Sequence, residues 1–267
     1  MFLTDEYIQI SRQIVQVAPA VRVFLLGTRT AKHSTQNIFT SEPHLGQSTE
    51  HYYLLVLVRR NREASNNCVQ DRIETVCSAI CPVTVFVIDF EQFNNWLQEG
   101  HHFAYQVKSK AKLLFEDLTI SFGDVNEVDS DAIKESQKAV YCKGYNMMQE
   151  FLAGADLYRI RQQNKMAAFM LHQATESALH AILKISIGLC VSSHNLDKLI
   201  RYCSLAHSSV TGLFKRHMEN ENRLFQLLQR AYIETRYKET YCINTSDLIE
   251  ITSKIRLLQE ILVSFKC

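Results

Sequence analysis

Three residues of one segment, Gln173, Glu176 and His180, recur at spacings of four and three, so a helix carries them as a single polar stripe. The stripe borders an apolar face built from Leu171, Ala174, Ala178, Ala181, Ile182 and Ile185. On a later segment Tyr232, Arg236 and Thr240 share a face at spacing four. A carboxylate on one helix and a guanidinium on another suit a buried, charge-assisted pair. That chemistry predicts Glu176 with Arg236, or Glu234 with a partner, shaping a polar groove. The alternative is that these charges fix helix register or lie in solvent, as polar stripes usually do.

The first half carries a second set. Thr28, Arg29, Lys32 and His33 follow one apolar run, and Arg59, Arg60 and Arg62 follow another. Gly27, Thr28, Arg29 and Lys32 are the candidates for holding a phosphate, with a solvated loop as the alternative. His101 and His102 are adjacent and point apart, which argues against joint metal binding. None of the eight cysteines sits in a CxxC pair, and no Cys or His pairs repeat at ligand spacing, so no metal site is predicted. Free thiols of this kind suit a reducing compartment.

The elements that must position these residues follow from pattern. Glycine (8) and proline (3) are scarce, and no proline follows Pro82, which favours long helices in the second half. Thr4 to Val17 reads as a helix with Thr4 as its cap. Val21–Leu26, Tyr52–Val58 and Val83–Ile88 are apolar runs of strand length, and Leu113–Phe115 is a short edge-strand candidate. Helical periodicity covers Asn67–Ile80, Phe90–Leu97 and Phe103–Lys110. Strands separated by helices predict an α/β domain with a central mixed sheet over residues 1–118. An acidic, aperiodic stretch gives a linker at 119–128. Residues 129–267 read as all helix: from an Asp129 or Ser130 cap to Gln163, Lys165–Ile187, Asn195–Ala206, Thr211–Tyr237, and Ser246–Phe265 with Thr245-Ser246-Asp247 as cap signal.

With 29 Lys and Arg against 28 Asp and Glu, the formal charge of +1 gives no global field, so nucleic acid would have to be held by a local patch. The opening MFLTDEYIQISRQIV is acidic and then amphipathic, unlike a signal peptide, and no apolar run is long enough to span a bilayer. The expected location is cytoplasmic.

Three segments, AAFMLHQATESALHAIL (167–183), HNLDKLI (194–200) and LLQRAYIETRYKETY (227–241), resemble the HEPN family in order and type. The resemblance implies an all-α helical bundle that pairs as a homodimer, with Gln173, Glu176, His180, His194, Arg236, Tyr237 and Tyr241 as nucleotide- or RNA-binding candidates. In HEPN ribonucleases an Arg is followed four to six residues later by a His. Arg236 stands at the Arg position, but the residues after it, YKETYCI, hold no His. Tyr241, with an ordinary phenol pKa near 10, is a poor substitute for an imidazole. VRVFLLGTRT and HYYLLVLV resemble the nucleotidyltransferase fold often fused to HEPN domains. There a Gly-Ser follows the first strand and two aspartates hold catalytic metal; here Gly27-Thr28 replaces Gly-Ser, His51 and Tyr53 replace the acids, and only Glu42 and Glu50 lie nearby. These departures predict a non-catalytic nucleotide- or RNA-binding module of a stress, defence or toxin–antitoxin type system, needing no cofactor. The alternatives are an active enzyme, either a ribonuclease or a nucleotidyltransferase using Mg²⁺ with a nucleotide, and an interaction scaffold.

Overall fold

The computed structural model describes residues 5–31, 34–35, 44–45, 49–60 and 65–266. Thr4, Lys32, His33, Glu42 and Arg62, all singled out by the sequence, lie outside them. The chain divides into two compact units, Met1–Val128 and Asp129–Cys267.

The first unit runs α1 (Asp5–Val17), β1 (Ala20–Ala31), the short pair β2 (Ser34–Thr35) and β3 (His44–Leu45), β4 (Thr49–Val58), α2 (Asn66–Cys77), β5 (Val83–Asp89), α3 (Phe90–Gln98), α4 (His102–Lys110) and β6 (Lys112–Glu116). The main sheet has the order β5-β4-β1-β6. β1 pairs antiparallel with β4 and β6, whereas β4 and β5 are parallel, so the sheet is mixed. Parallel neighbours need a crossover, and α2 supplies it. Tyr52 to Val58 are all buried because both faces of this inner strand are covered. Tyr52, Leu54, Val56 and Val58 face a core with Ile10 and Ile14 of α1 and Val69, Ile73 and Cys77 of α2. On a neighbouring strand the Phe24 ring stacks on Phe93 of α3 at 6.4 Å.

The stretch after β6 is stitched to this unit, where the sequence suggested a linker. Buried Arg22, 2% exposed, donates from Nη1 to the carbonyls of Val21 (3.0 Å) and Asp117 (2.8 Å) and from Nη2 to Ile120, and it pairs with Glu116 at 2.8 Å. Its guanidinium lies 5.3 Å from the Phe122 ring centre. Further along, Gly123 N donates to Asn94 Oδ1 (2.8 Å) and Asn126 N to Leu97 O (3.1 Å). Gly100, at φ +69°, lets this chain pass: a Cβ there would sit 2.6 Å from Glu127 O.

The second unit is helical: α5 (Ser130–Ile160), α6 (Asn164–Ile187), α7 (Leu196–Cys203), a 3₁₀ turn (Ser208–Gly212), α8 (Glu219–Tyr237) and α9 (Thr245–Val263). Asp129 caps α5, accepting from Asp131 N and Ala132 N at 2.9 and 3.1 Å. α6 touches α5, α7, α8 and α9, which is why it is apolar on most sides, with Ala168, Leu171, Ala174, Ala178 and Ile182 buried. At its crossing with α5, Gly144 leaves room for Ala181, whose Cβ would lie 2.4 Å from any Cβ placed on the glycine.

Two helix starts differ from expectation. α8 begins at Glu219, not Thr211, because 208–212 tightens into the 3₁₀ turn. α9 is capped by Asn244, whose Oδ1 accepts from Asp247 N at 2.7 Å, and not by the Thr245-Ser246-Asp247 signal. Asp247 instead accepts both Arg223 terminal nitrogens, at 2.8 and 2.7 Å.

Candidate functional site

α6 and α8 lie side by side, and the segment between α6 and α7 lies beside both. Gly188, at φ +79°, ends α6 in a left-handed cap and turns the chain back. His180 Nε2 donates to Ser193 O at 3.1 Å, holding the returning segment on α6. Next to it, His194 Nδ1 lies 3.0 Å from Glu176 Oε1, and the His194 ring stacks on Tyr232 of α8 with centres 4.3 Å apart. The far end is fixed by Gln229 of α8, whose Oε1 accepts from Leu196 N (2.8 Å) and Asp197 N (3.3 Å).

Glu176 therefore does not pair with Arg236. It sits among imidazoles: His194 on Oε1, His180 at 3.9 Å, and His172 Nε2 at 3.4 Å from Oε2, with the Gln173 amide also at 3.4 Å. The reason is reach. His172 and His180 are one turn either side of Glu176 on the same helix, while Arg236 folds back on its own. Arg236 Nε and Nη2 donate to Tyr232 O at 2.9 and 2.6 Å. Its guanidinium lies over the rings of Tyr232 (4.6 Å), Tyr237 (5.3 Å) and Phe169 (5.5 Å), a cation on aromatic faces. The described residues offer it no carboxylate partner. Glu234, the other acid considered, pairs with Lys238 (2.8 Å) and Arg230 (3.5 Å) along α8.

His172 was missed by the sequence because it falls among apolar positions. It is 0% exposed, and its Nδ1 donates to Leu228 O at 3.0 Å. Its Nε2 lies 3.4 Å from Glu176 Oε2 and makes no hydrogen bond among the described residues, so the ring is a close neighbour of the carboxylate with its one bond on the far side. Tyr241 is a correction in the other direction. α8 stops at Tyr237, as Lys238 turns extended, so Tyr241 and Thr240 leave the helix face. Tyr241 is 3% exposed and donates its hydroxyl to Leu227 O at 3.0 Å, which makes it core and not ligand surface. Tyr237 remains exposed beside Arg236.

In the first unit, Gly27, Thr28 and Arg29 do not form a loop. β1 runs through them, pairing Gly27 with Tyr53, Thr28 with Tyr52 and Arg29 with His51 after a bulge at Leu25. At the positions compared with metal-holding acids, His51 Nε2 meets Thr84 Oγ1 at 2.8 Å and Tyr53 is buried. Glu50 and Glu6 both approach the Tyr52 hydroxyl at 2.7 Å. An imidazole bound to a threonine and a buried phenol do not suit Mg²⁺, which wants carboxylate and water oxygens. Among the described residues no group of three or more His, Cys, Asp or Glu side chains is placed to hold a metal ion, and no described helix is long and apolar enough to cross a membrane. His101 stacks on Trp96 at 4.8 Å.

The charges make acid pH destabilising. Burial raises Glu176, but the imidazoles of His172 and His194 outweigh it, and the net shift is down. Bonds from Lys254 lower Glu221, and bonds from Arg223 lower Asp247. Burial also lowers His180, with Glu176 opposing. Groups depressed in the folded state give stability that is complete above their unfolded values and is lost as pH falls through the folded ones. Thermal melts across pH are thus expected to fall gently below the ordinary imidazole value of 6.5 and steeply below the ordinary Glu value of 4.5. A flat melting temperature through both ranges contradicts this.

Residues 148–262 match the model of the HEPN domain, so the chain contains a HEPN domain in its second unit. No curated protein matches the chain.

Proposed function

We propose that this protein binds RNA or a nucleotide through the α6–α8 face, with Arg236 gripping phosphate. The observation that carries the reading is the state of Arg236: exposed, without a carboxylate partner among the described residues, and seated on aromatic rings. Two of its nitrogens are fixed on Tyr232 O, which orients the plane and leaves the remaining N–H donors for a phosphate oxygen pair. Exposed Tyr237 offers a face on which a base can stack. On this reading the first unit is a nucleotidyltransferase-like domain that has lost its metal site, and the two units belong to a stress, defence or toxin–antitoxin type system. HEPN domains commonly dimerise, and a homodimer through this domain belongs to the same reading.

Fluorescence anisotropy with a labelled oligoribonucleotide, competed with ATP and GTP, tests it. Arg236→Ala is expected to weaken binding by about tenfold or more, equivalent to about 1.4 kcal/mol. Arg236→Lys is expected to recover little, because a point charge cannot keep the stacked, planar contact. Equal affinity for wild type and both variants overturns the reading.

A further inference from the structure

α1 has two apolar faces, and the core of the first unit uses only one. Ile10 and Ile14 are fully buried against the sheet, whereas Ile8 and Val15 lie on a flank two turns long, Ile8 half-buried and Val15 40% exposed. Between them stands Ser11, a small residue whose hydroxyl is already spent on Tyr7 O at 2.8 Å. This flank and β6, the last strand of the sheet, bound a groove of about 420 Å³. The floor of the groove comes from a bulge. The register with β1 shifts between Val23 and Phe24, which leaves Leu114 unpaired, and Leu114 and Phe115 both pack on the core that α1 covers. Ordinary strand alternation would send one of these two side chains to the opposite face. One charged side chain lines the groove, exposed Arg12, with Gln16 one turn further along the rim. Among the described residues no carboxylate pairs with Arg12. The Lys112 ammonium, 4.5 Å from the Tyr7 ring centre, adds a second positive charge on the same helix and strand.

We propose that this groove binds a small amphiphile, an unbranched apolar chain with one carboxylate. The chain lies on Ile8, Val15, Leu114 and Phe115, and the carboxylate takes the Arg12 guanidinium. A groove of this size, apolar apart from one convergent polar group, has the make-up of a small-molecule site. The charge selects the occupant. A neutral chain leaves Arg12 unanswered, and a second copy docked by the same face brings a second Arg12 and Lys112 to the seam. The site lies wholly in the first unit and is independent of the reading of Arg236.

The test is isothermal titration of the full chain with sodium octanoate and, separately, with 1-octanol. Wild type is expected to bind one octanoate saturably, and 1-octanol about tenfold more weakly. Arg12→Gln is expected to lose about tenfold for octanoate and to bind 1-octanol as wild type does. Val15→Phe, which fills the groove from an exposed position, is expected to weaken both ligands about tenfold. Thermal melts establish that the variants fold, and Arg12→Gln carries the test if Val15→Phe does not. Absence of saturable heat with octanoate overturns the proposal, as does equal octanoate affinity in wild type and Arg12→Gln. Sedimentation that finds a wild-type dimer dissolved by Val15→Phe assigns the groove to a second copy and overturns it too.

Discussion

Arg22→Ala is expected to destabilise the N-terminal unit by about 3 kcal/mol, through the hydrogen bonds lost along the segment after β6 and the space left by the buried side chain. The carbonyls of Val21 and Asp117 keep a second donor, Asp117 N at 2.8 Å and Ile120 N at 3.3 Å, so the loss falls most on Ile120 O and on the rings of Phe90 and Phe122 that close over the guanidinium. Arg22→Lys is expected to recover only part, because an ammonium cannot span carbonyls on both sides of a planar fork. Arg59→Ala is the control. Arg59 also bonds this stretch, through Asp117 at 2.7 Å, but its side chain is 58% exposed, and loss of such a pair costs about 1 kcal/mol or less. Trp96 is the chain's one tryptophan and lies in this unit, so its fluorescence in urea follows the unit's unfolding selectively. Equal midpoints for Arg22→Ala and Arg59→Ala would show that the buried fork does not hold the segment.

The second large effect is expected at the α5–α6 crossing. On helix propensity alone, Gly144→Ala is stabilising by about 1 kcal/mol. The structure reverses the sign: the new Cβ would meet the Ala181 Cβ at 2.4 Å and Ser177 O at 3.7 Å, between two helix backbones that cannot yield as a flexible side chain can. Gly144→Leu is expected to cost about 3 kcal/mol, the upper part of the range for overpacking. Gly144→Ala combined with Ala181→Gly is expected to regain much of the loss, since the removed methyl is the one struck. Helical circular dichroism against urea reads this unit best, because it is almost wholly helical. A stabilised single variant would mean that the helices part at little cost.

What was legible in the sequence was set by periodicity. The runs VRVFLL, YYLLVLV and VTVFVI became β1, β4 and β5, because a strand covered on both faces is continuously apolar. The QATESALH stripe on α6 was equally plain, since helix spacing alone puts Gln173, Glu176 and His180 together. The partner of that stripe was not legible. Period tells which residues share a face, but not what faces them, so charge type alone matches Glu176 with Arg236, whereas the structure gives it the His194 imidazole at 3.0 Å with those of His172 and His180 nearby. His172 gave no signal apart from its place on an apolar face. Tyr241 rests on the family resemblance and not on period: the predicted helix ends at Tyr237, and nothing in the pattern beyond it tells that the phenol turns back into the core. The stretch after β6 looks like a linker in sequence because its order comes from bonds that its backbone makes to Arg22, Asn94 and Leu97, which leave no pattern of side-chain polarity.

The two bonds that Gln229 accepts from the first amides of α7 have a mechanical consequence. They graft the start of one helix onto the flank of another, so the stretch bearing His194 and the helix bearing Arg236 travel as one piece. A pull on the arginine is passed to the histidine. Alignment between the two is preserved under load, and Gln229→Leu would let them drift independently while leaving both side chains in place.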